Sequence, residues 1–483
     1  MFFPPQRRLW GNVPRIAHVD PLSPITNVGS ASHPESRWGA AVSRRIGMRG
    51  TAAGRKRSAV KREDSRLFDG VAVAERSAAS QSLGKHPGAR SAFAFWVVAA
   101  AMAFALAASA VPSPLYVDYQ AQWQFSAATL TSIYAAYAGG VVVALLLSGG
   151  LSDRIGRRPV LLGSVAVLIA SLVLFVFASG VAWLYVARGV QGLATGVFTG
   201  AAGAALTELH PRSDHRFAAM VNSTSGALGI AVGAVAAGAI AEFVVFPLRT
   251  PYVLLAIVAL VLVTAIALRV PETVERTGGG GVLRLQRLKI PREIRGQFAL
   301  ASLGAFAAWA VAGLYLGLGG SIAKELLQVN NHLVVGLVIL SMQGVGGVAQ
   351  VVFTRISNVA ASLAGSAALI AGMLIAAMAL PLSSPVVFFA GAIVTGIGFG
   401  LTFMGATRRV VQAAPTHARG ETLAAYFVVA YVAISAPVVA AGFVSAPLGL
   451  ATTFYLFAVT IALAAVSTLV GTVLSRRADR TSR

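Results

Sequence analysis

From about residue 92 to about residue 476, apolar runs of roughly 20 residues alternate with short polar gaps, and each run is long enough to cross about 30 Å of hydrocarbon as a helix. Ala, Gly, Leu and Val dominate the runs, which predicts helices rather than barrel strands. The pattern predicts twelve spans. The first six are expected over 92–115, 127–148, 160–179, 184–206, 218–241 and 252–270, the second six over 298–319, 333–353, 360–380, 386–406, 423–443 and 452–474. A polar linker with four consecutive glycines, Gly278 to Gly281, separates the two sets. The resulting organisation is a tail over 1–90, a six-helix bundle over 91–272, a linker over 273–296, a second bundle over 297–476 and a short tail over 477–483.

Composition strengthens this reading. Hydrophobic residues make up 56% of the chain and charged residues only 12%, so an ordinary soluble globule is excluded. The chain contains no Cys, which removes disulfides, thiol catalysis and cysteine-ligated metal. Basic residues fall on one side of the expected bilayer. The gaps after even-numbered spans carry Arg154, Arg157, Arg158, Arg212, Arg216, the linker cluster, Arg355, Arg408, Arg409 and Arg419, whereas Arg249 and Lys324 stand out on the other side. Retained basic loops lie in the cytoplasm. A multi-pass protein of the cytoplasmic membrane with both termini inside is therefore expected.

The halves also resemble each other. Laying Gly192–Pro211 over Gly396–Pro415 aligns Gly196 with Gly400 and the terminal prolines with each other, and an Arg follows each segment, Arg216 or Arg419. A duplicated bundle with a central linker is a transporter architecture, with a substrate site near the midplane.

The gap after span two reads GGLSDRIGRRPVLL, from Gly149 to Leu162. Gly149 permits close helix approach and Gly156 a tight turn. Asp153 sits among Arg154, Arg157 and Arg158, where it can pair with them or face a helix N-terminus. Together with Leu151, these residues resemble the signature of the major facilitator superfamily between its second and third helices. LYVARGVQGLATG, from Leu184 to Gly196, resembles that superfamily's fourth-helix motif through Arg188, Gln191 and Gly192, and PETVER at the end of span six is also common there. The resemblance covers about residues 92–476. It implies an all-α integral membrane protein of two pseudo-symmetric six-helix bundles, working by alternating access. It also implies that the loop at Gly149–Arg158 latches the cytoplasmic side against Glu421–Leu423 while the protein faces outward.

Arg188 lies inside an apolar run, where a charge costs about 2.5–3.5 kcal/mol at the helix centre. Two readings stay open: a cavity-facing residue tied to substrate or proton movement, as the resemblance implies, or a side chain snorkelling from about 7–8 Å inside the outer end. Asp118, in SPLYVDYQAQW after the first run, is either a partner for Arg188 or a marker of a solvated loop. Glu208, Glu242, Glu325 and Glu421 all fall at span edges. Further cavity candidates are Tyr134, Tyr137, Gln191, Trp309, Tyr315 and Gln343, each of which can equally be a packing residue.

Drug-exporting members of the superfamily carry Gly-Pro in the fifth helix; here Gly233 and Ala234 stand in its place, among Gly226, Gly229 and Gly238. The expected activity is secondary transport of a small organic solute, first as an exporter of drug-like or amphipathic compounds, alternatively as a carrier of one metabolite such as an organic acid, an aromatic compound or a sugar. A membrane enzyme lacks support, because no HExxH or clustered carboxylates appear. A transport-inactive sensor has no soluble signalling domain in its favour. No cofactor or metal is expected, the coupling ion being a proton if there is one. The expected partners are a small-molecule substrate and the lipid bilayer, with no nucleic acid, and the expected state is a monomer.

Residues 1–90 carry sixteen Lys and Arg against six Asp and Glu, about half of the chain's net charge of +22, without apolar periodicity. That composition is expected to be a disordered basic cytoplasmic tail, or an upstream start with Met48 or a later position beginning the protein.

Overall fold

The computed structural model describes residues 89–148, 150–274, 286 and 288–481. The basic stretch 1–88, Gly149 and linker residues 275–285, including Gly278–Gly281, lie outside the described residues.

The described residues are helical almost throughout. The first half contains α1 (Ala89–Ala110), α2 (Pro112–Trp123), α3 (Ala127–Leu147), the short α4 (Leu151–Ile155), α5 (Arg157–Val176), α6 (Val181–Leu209), α7 (His215–Phe243) and α8 (Thr250–Arg269). The second contains α9 (Arg295–Gly317), α10 (Gly319–Ser321), α11 (His332–Ile339), α12 (Val345–Val352), α13 (Asn358–Met378), α14 (Pro385–Ala413) and α15 (Arg419–Thr481). Ten helical segments are long and apolar enough to cross a membrane. One of them, Arg419–Arg477, holds two spans, because non-helical Gly449 divides α15 (φ 74°, ψ 160°). The remaining span is α6, whose Arg188 and Gln191 lower its hydropathy. The described helices thus accommodate twelve crossings in two sets of six.

Several boundaries differ from the periodicity. The first span does not end near Leu115. It breaks at Val111, where Pro112 and Pro114 cannot donate to the preceding turn, and restarts as α2 as far as Trp123. Asp118 therefore stands on a helix, not in a loop. α14 runs past Ala406 to Ala413, so Arg408 and Arg409 are helical; Arg408 donates to the carbonyls of Thr354 and Ile356, closing the turn after α12. A π-turn, Leu340–Gly344, joins α11 to α12 and buries Met342 and Gln343.

Helices in lipid gain little from the hydrophobic effect against one another, so close backbone approach holds them together. In the first half, Gly192 lies on the Tyr137 carbonyl and Gly196 on Val141 of α3. In the second, Gly396 lies on the Met342 carbonyl and Gly400 on Gly346. The same glycine pair thus meets the same register of the neighbouring helix in both bundles, and the internal repeat is structural. Gly229 and Gly233 of α7 seat on the Ala103 and Ala107 carbonyls of α1. No proline is needed there for close packing.

Glycine seams also join the bundles. Gly336 of α11 lies 2.6 Å, as a hypothetical Cβ, from the Ala234 carbonyl of α7, and Gly238 meets the His332 carbonyl. Gly442 of α15 meets Ala127 and Thr131 at the start of α3. All three contacts lie toward the end opposite the arginine-rich one.

Gly192→Val and Gly396→Val are expected to cost about 1–3 kcal/mol each through overpacking, read as earlier thermal unfolding in detergent. Gly163→Val, where an added Cβ meets nothing within 4 Å, is expected to melt with the parent protein.

Candidate functional site

Polar side chains concentrate at three levels between or beside the bundles. At the arginine-rich end, Gly150 (φ 74°) starts α4 and Gly156 (φ 102°) turns the chain into α5. A side chain at Gly156 would be strained and would collide with the Glu272 carboxylate. Glu272 accepts from the exposed backbone N–H groups of Arg157 (2.8 Å) and Arg158 (3.3 Å), neutralising the positive end of α5. Arg157 is largely buried and pairs with Asp153 (2.5 Å) and Glu208 (2.9 Å). Thr273 donates to Glu208, and Arg158 to the Ala267 carbonyl. The ends of α5, α6 and α8 are thereby tied into one block.

Of the two roles open to Asp153, the structure gives it the arginine pair, while Glu272 takes the helix N-terminus. Glu272 stands in PETVER and Glu208 at a span edge; their acidity was visible in sequence, their convergence on Arg157 was not. The Asp153 side chain is 60% exposed. Among the described hydrogen bonds and ion pairs none joins Asp153 to Glu421–Leu423. Toward this end the bundles are crossed by Ser223, which donates to Gln350 Oε1 (2.7 Å), and by Gln286, whose backbone N–H donates to the Leu146 carbonyl (2.7 Å) and whose side chain reaches the Gly420 carbonyl (3.5 Å). Gly149 lies outside the described residues.

At the middle level, Arg188 is fully buried. It stands about 10 Å into α6 at 1.5 Å per residue, because α6 begins at Val181 rather than Leu184. The snorkelling reading is thereby removed: the guanidinium turns inward, donating to the Ser109 carbonyl and to Gln191 Oε1 at 2.7 Å each. Gln191 in turn donates to the Ala108 carbonyl (2.9 Å). The Ala108 carbonyl is free because the residue four positions on, Pro112, lacks an N–H. The rings of Tyr137, Tyr134 and Tyr116 surround the cation at 4.8, 5.5 and 5.9 Å. The Tyr116 hydroxyl lies beside it without ordinary hydrogen-bond geometry, and Arg188 Nε and Nη2 have no hydrogen-bond partner among the described residues.

From Tyr134 and Tyr137 the aromatic lining continues into the second bundle. Tyr431 of α15 packs against Trp309, which also meets Phe399 and Phe403 edge-on. The Trp309 indole N–H and Gln343 Oε1 are buried without a hydrogen-bond partner among the described residues. Tyr315 is placed elsewhere: its ring packs against Phe388 inside the second bundle.

At the far end Asp118 faces His332, not Arg188. His332 also contacts Glu242. Neither His332 nor Glu242 was singled out from sequence, because each sits at a helix terminus where a charge is unremarkable.

Described residues that are helical almost throughout, in two repeated sets of apolar helices with a buried cation inside the first, have the build of a membrane transporter. The chain belongs to the Major Facilitator Superfamily, whose family model matches residues 93–437. It is similar to a gentisate transporter of Corynebacterium glutamicum, 32% identical over 117 residues; that match spans 24% of this chain and 26% of the relative, so well under two thirds of its length. Its fold is similar to that of a bacterial homologue of the human lysosomal transporter Spinster, solved in an inward-facing, unoccupied conformation. That comparison gives a TM-score of 0.61 at 12% identity over 80% of this chain and 97% of the other.

Glu272→Ala leaves two N–H groups uncapped and is expected to destabilise by about 0.5–2 kcal/mol, measured as a lower melting temperature, with the conservative Glu272→Gln falling between. Asp153→Asn is expected to slow transport with insertion intact; normal flux from a correctly inserted variant counts against a latch at this loop.

Proposed function

We propose that this protein is a secondary transporter that carries a small aromatic or related organic monocarboxylate across the cytoplasmic membrane, with both termini in the cytoplasm. The carrying observation is Arg188: a buried guanidinium with two donor nitrogens, Nε and Nη2, unused among the described residues, ringed by tyrosines. Burying an unpaired charge is costly, and a carboxylate accepts two parallel guanidinium N–H bonds. The aromatic face from Tyr137 through Tyr431 to Trp309 suits a ring lying across the bundle interface. The gentisate carrier among the relatives supports the same cargo class. The basic loops at the motif end support the orientation.

The mechanism follows from the two blocks. A cargo bridging Arg188 of the first bundle and the aromatic wall of the second contacts both at once, so its binding biases their relative position. Rocking about the interface then exposes the site to one side at a time. Export of neutral, amphipathic drug-like compounds is the second reading, favoured by the same aromatic wall; such a cargo leaves the Arg188 charge uncompensated.

Counterflow in proteoliposomes separates the two readings, using labelled benzoate and gentisate beside neutral benzamide. Carboxylate exchange in the parent protein, lowered at least tenfold in Arg188→Ala and partly retained in Arg188→Lys, is the expected result. Exchange of benzamide but not of the acids would sink the carboxylate assignment and favour the drug-like cargo.

A further inference from the structure

The end of the molecule farthest from the arginine-rich loops carries a titratable cluster built from three helices. His332 opens α11 of the second bundle, and its two ring nitrogens reach two different carboxylates of the first. Nε2 stands 2.9 Å from Asp118 on α2, and Nδ1 stands 3.0 Å from Glu242 near the end of α7. The His332 backbone N–H also donates to the same Glu242 oxygen (3.0 Å). Each of the three side chains is about a quarter exposed, so solvent protons reach the cluster. The other charged groups at this end are Lys324 and Glu325, on the segment before His332, and Arg249, ahead of α8; all three are exposed and appear in none of the described ion pairs. The hydroxyls of Tyr119 and Tyr252 bond each other (3.4 Å), and Tyr119 also faces the Leu248 carbonyl.

The contact is a proton count. A neutral imidazole has one N–H and one lone pair, so it can donate to one carboxylate only and presents its lone pair to the other. Both ring contacts are hydrogen bonds only when the cluster holds one proton more, whether as imidazolium with two carboxylates or with that proton placed on a carboxyl. Separating the bundles at this end breaks both contacts and returns His332 to water, where an imidazole is half-protonated at about pH 6.5.

We infer that Asp118, Glu242 and His332 form a proton-binding site shared by the two bundles, which holds this end of the transporter closed when protonated and lets it open when the proton leaves. The sign follows from linkage. The closed form binds more protons than the open one, so acid favours closure and alkali favours opening, by at most about tenfold in the open-to-closed ratio per pH unit for one proton. The glycine contacts beside it, Gly238 on His332 and Gly336 on Ala234, give the closed state a fixed register, so the cluster tips a two-position contact instead of deforming it gradually. The site lies apart from Arg188, and the inference does not depend on which cargo is carried.

The absence of Cys makes the test direct. Gln122→Cys and Asn330→Cys, exposed on opposite bundles at this end, take spin labels in the otherwise native full-length chain. Their distance distribution is then read by double electron–electron resonance in lipid nanodiscs from pH 5 to pH 9, without substrate. The expected result is a short-distance population that dominates in acid and gives way to a longer one in alkali. His332→Gln, which cannot take the extra proton, is expected to hold a distribution that does not move with pH, and Glu242→Gln to weaken the dependence. A pH-independent distribution in the parent protein overturns the proposal, as does an unchanged pH dependence in correctly folded His332→Gln. If His332→Gln does not fold, Asp118→Asn and Glu242→Gln decide it: full retention of the pH response in both overturns the shared site. Because this readout uses no cargo, it stands or falls separately from the carboxylate reading.

Discussion

Close approach of backbone to backbone at glycine is the constraint on which the rest of this structure depends. Lipid supplies no hydrophobic force between helices, so their association rests on dispersion contact at short range, which a side chain at the crossing point would abolish. Gly192 and Gly196 set α6 against α3, and Gly396 and Gly400 set α14 against its π-turn neighbour in the same register. Gly229 and Gly233 do the same for α7 on α1, while Gly238, Gly336 and Gly442 carry the seam across the bundles. With the helix axes fixed at this spacing, the few polar side chains have few places to go.

Those side chains occupy three levels with different chemistry. Glu272, Glu208, Asp153 and Arg157 knit one end of the first bundle to itself by charge and helix-end capping. Arg188 occupies the middle, bonded to the Ser109 carbonyl and to Gln191 beside the proline break in the first span. His332 bridges the bundles at the far end. In this structure the bundles are therefore joined at the far end by the contacts of His332, and toward the arginine-rich end by hydrogen bonds of Ser223 to Gln350 and of Gln286 to Gly420.

How much of this the chain disclosed depended on whether the signal was local. Spans could be read because hydrocarbon thickness sets a length that a single run either meets or fails. The loop at Asp153 could be read because its glycines and charges are adjacent in sequence. Arg188 could be read as unusual, since a charge in an apolar run either faces a cavity or snorkels, but not as buried: that required the true start of α6 and the carbonyls of Ser109 and Ala108 beside it. Tyr134, Tyr137, Gln191, Trp309 and Gln343 all reach the interior, whereas Tyr315 points into ordinary packing, a difference set by rotation about each helix axis.

By itself the sequence determined the solvent of the protein, its helical class, the end at which arginine collects, and the twofold repeat, because each depends on composition or spacing along the chain. Only the tertiary structure decided which charges meet. Asp118 and His332 are 214 positions apart, Arg157 and Glu272 115, and no property of either residue's neighbours specifies the other. Their meeting is fixed by the lateral order and rotation of helices, which the glycine seams impose collectively. Asp118 thus reads, from sequence alone, as a loop marker or a partner for Arg188, and in the folded protein it is one of the two carboxylates that meet His332.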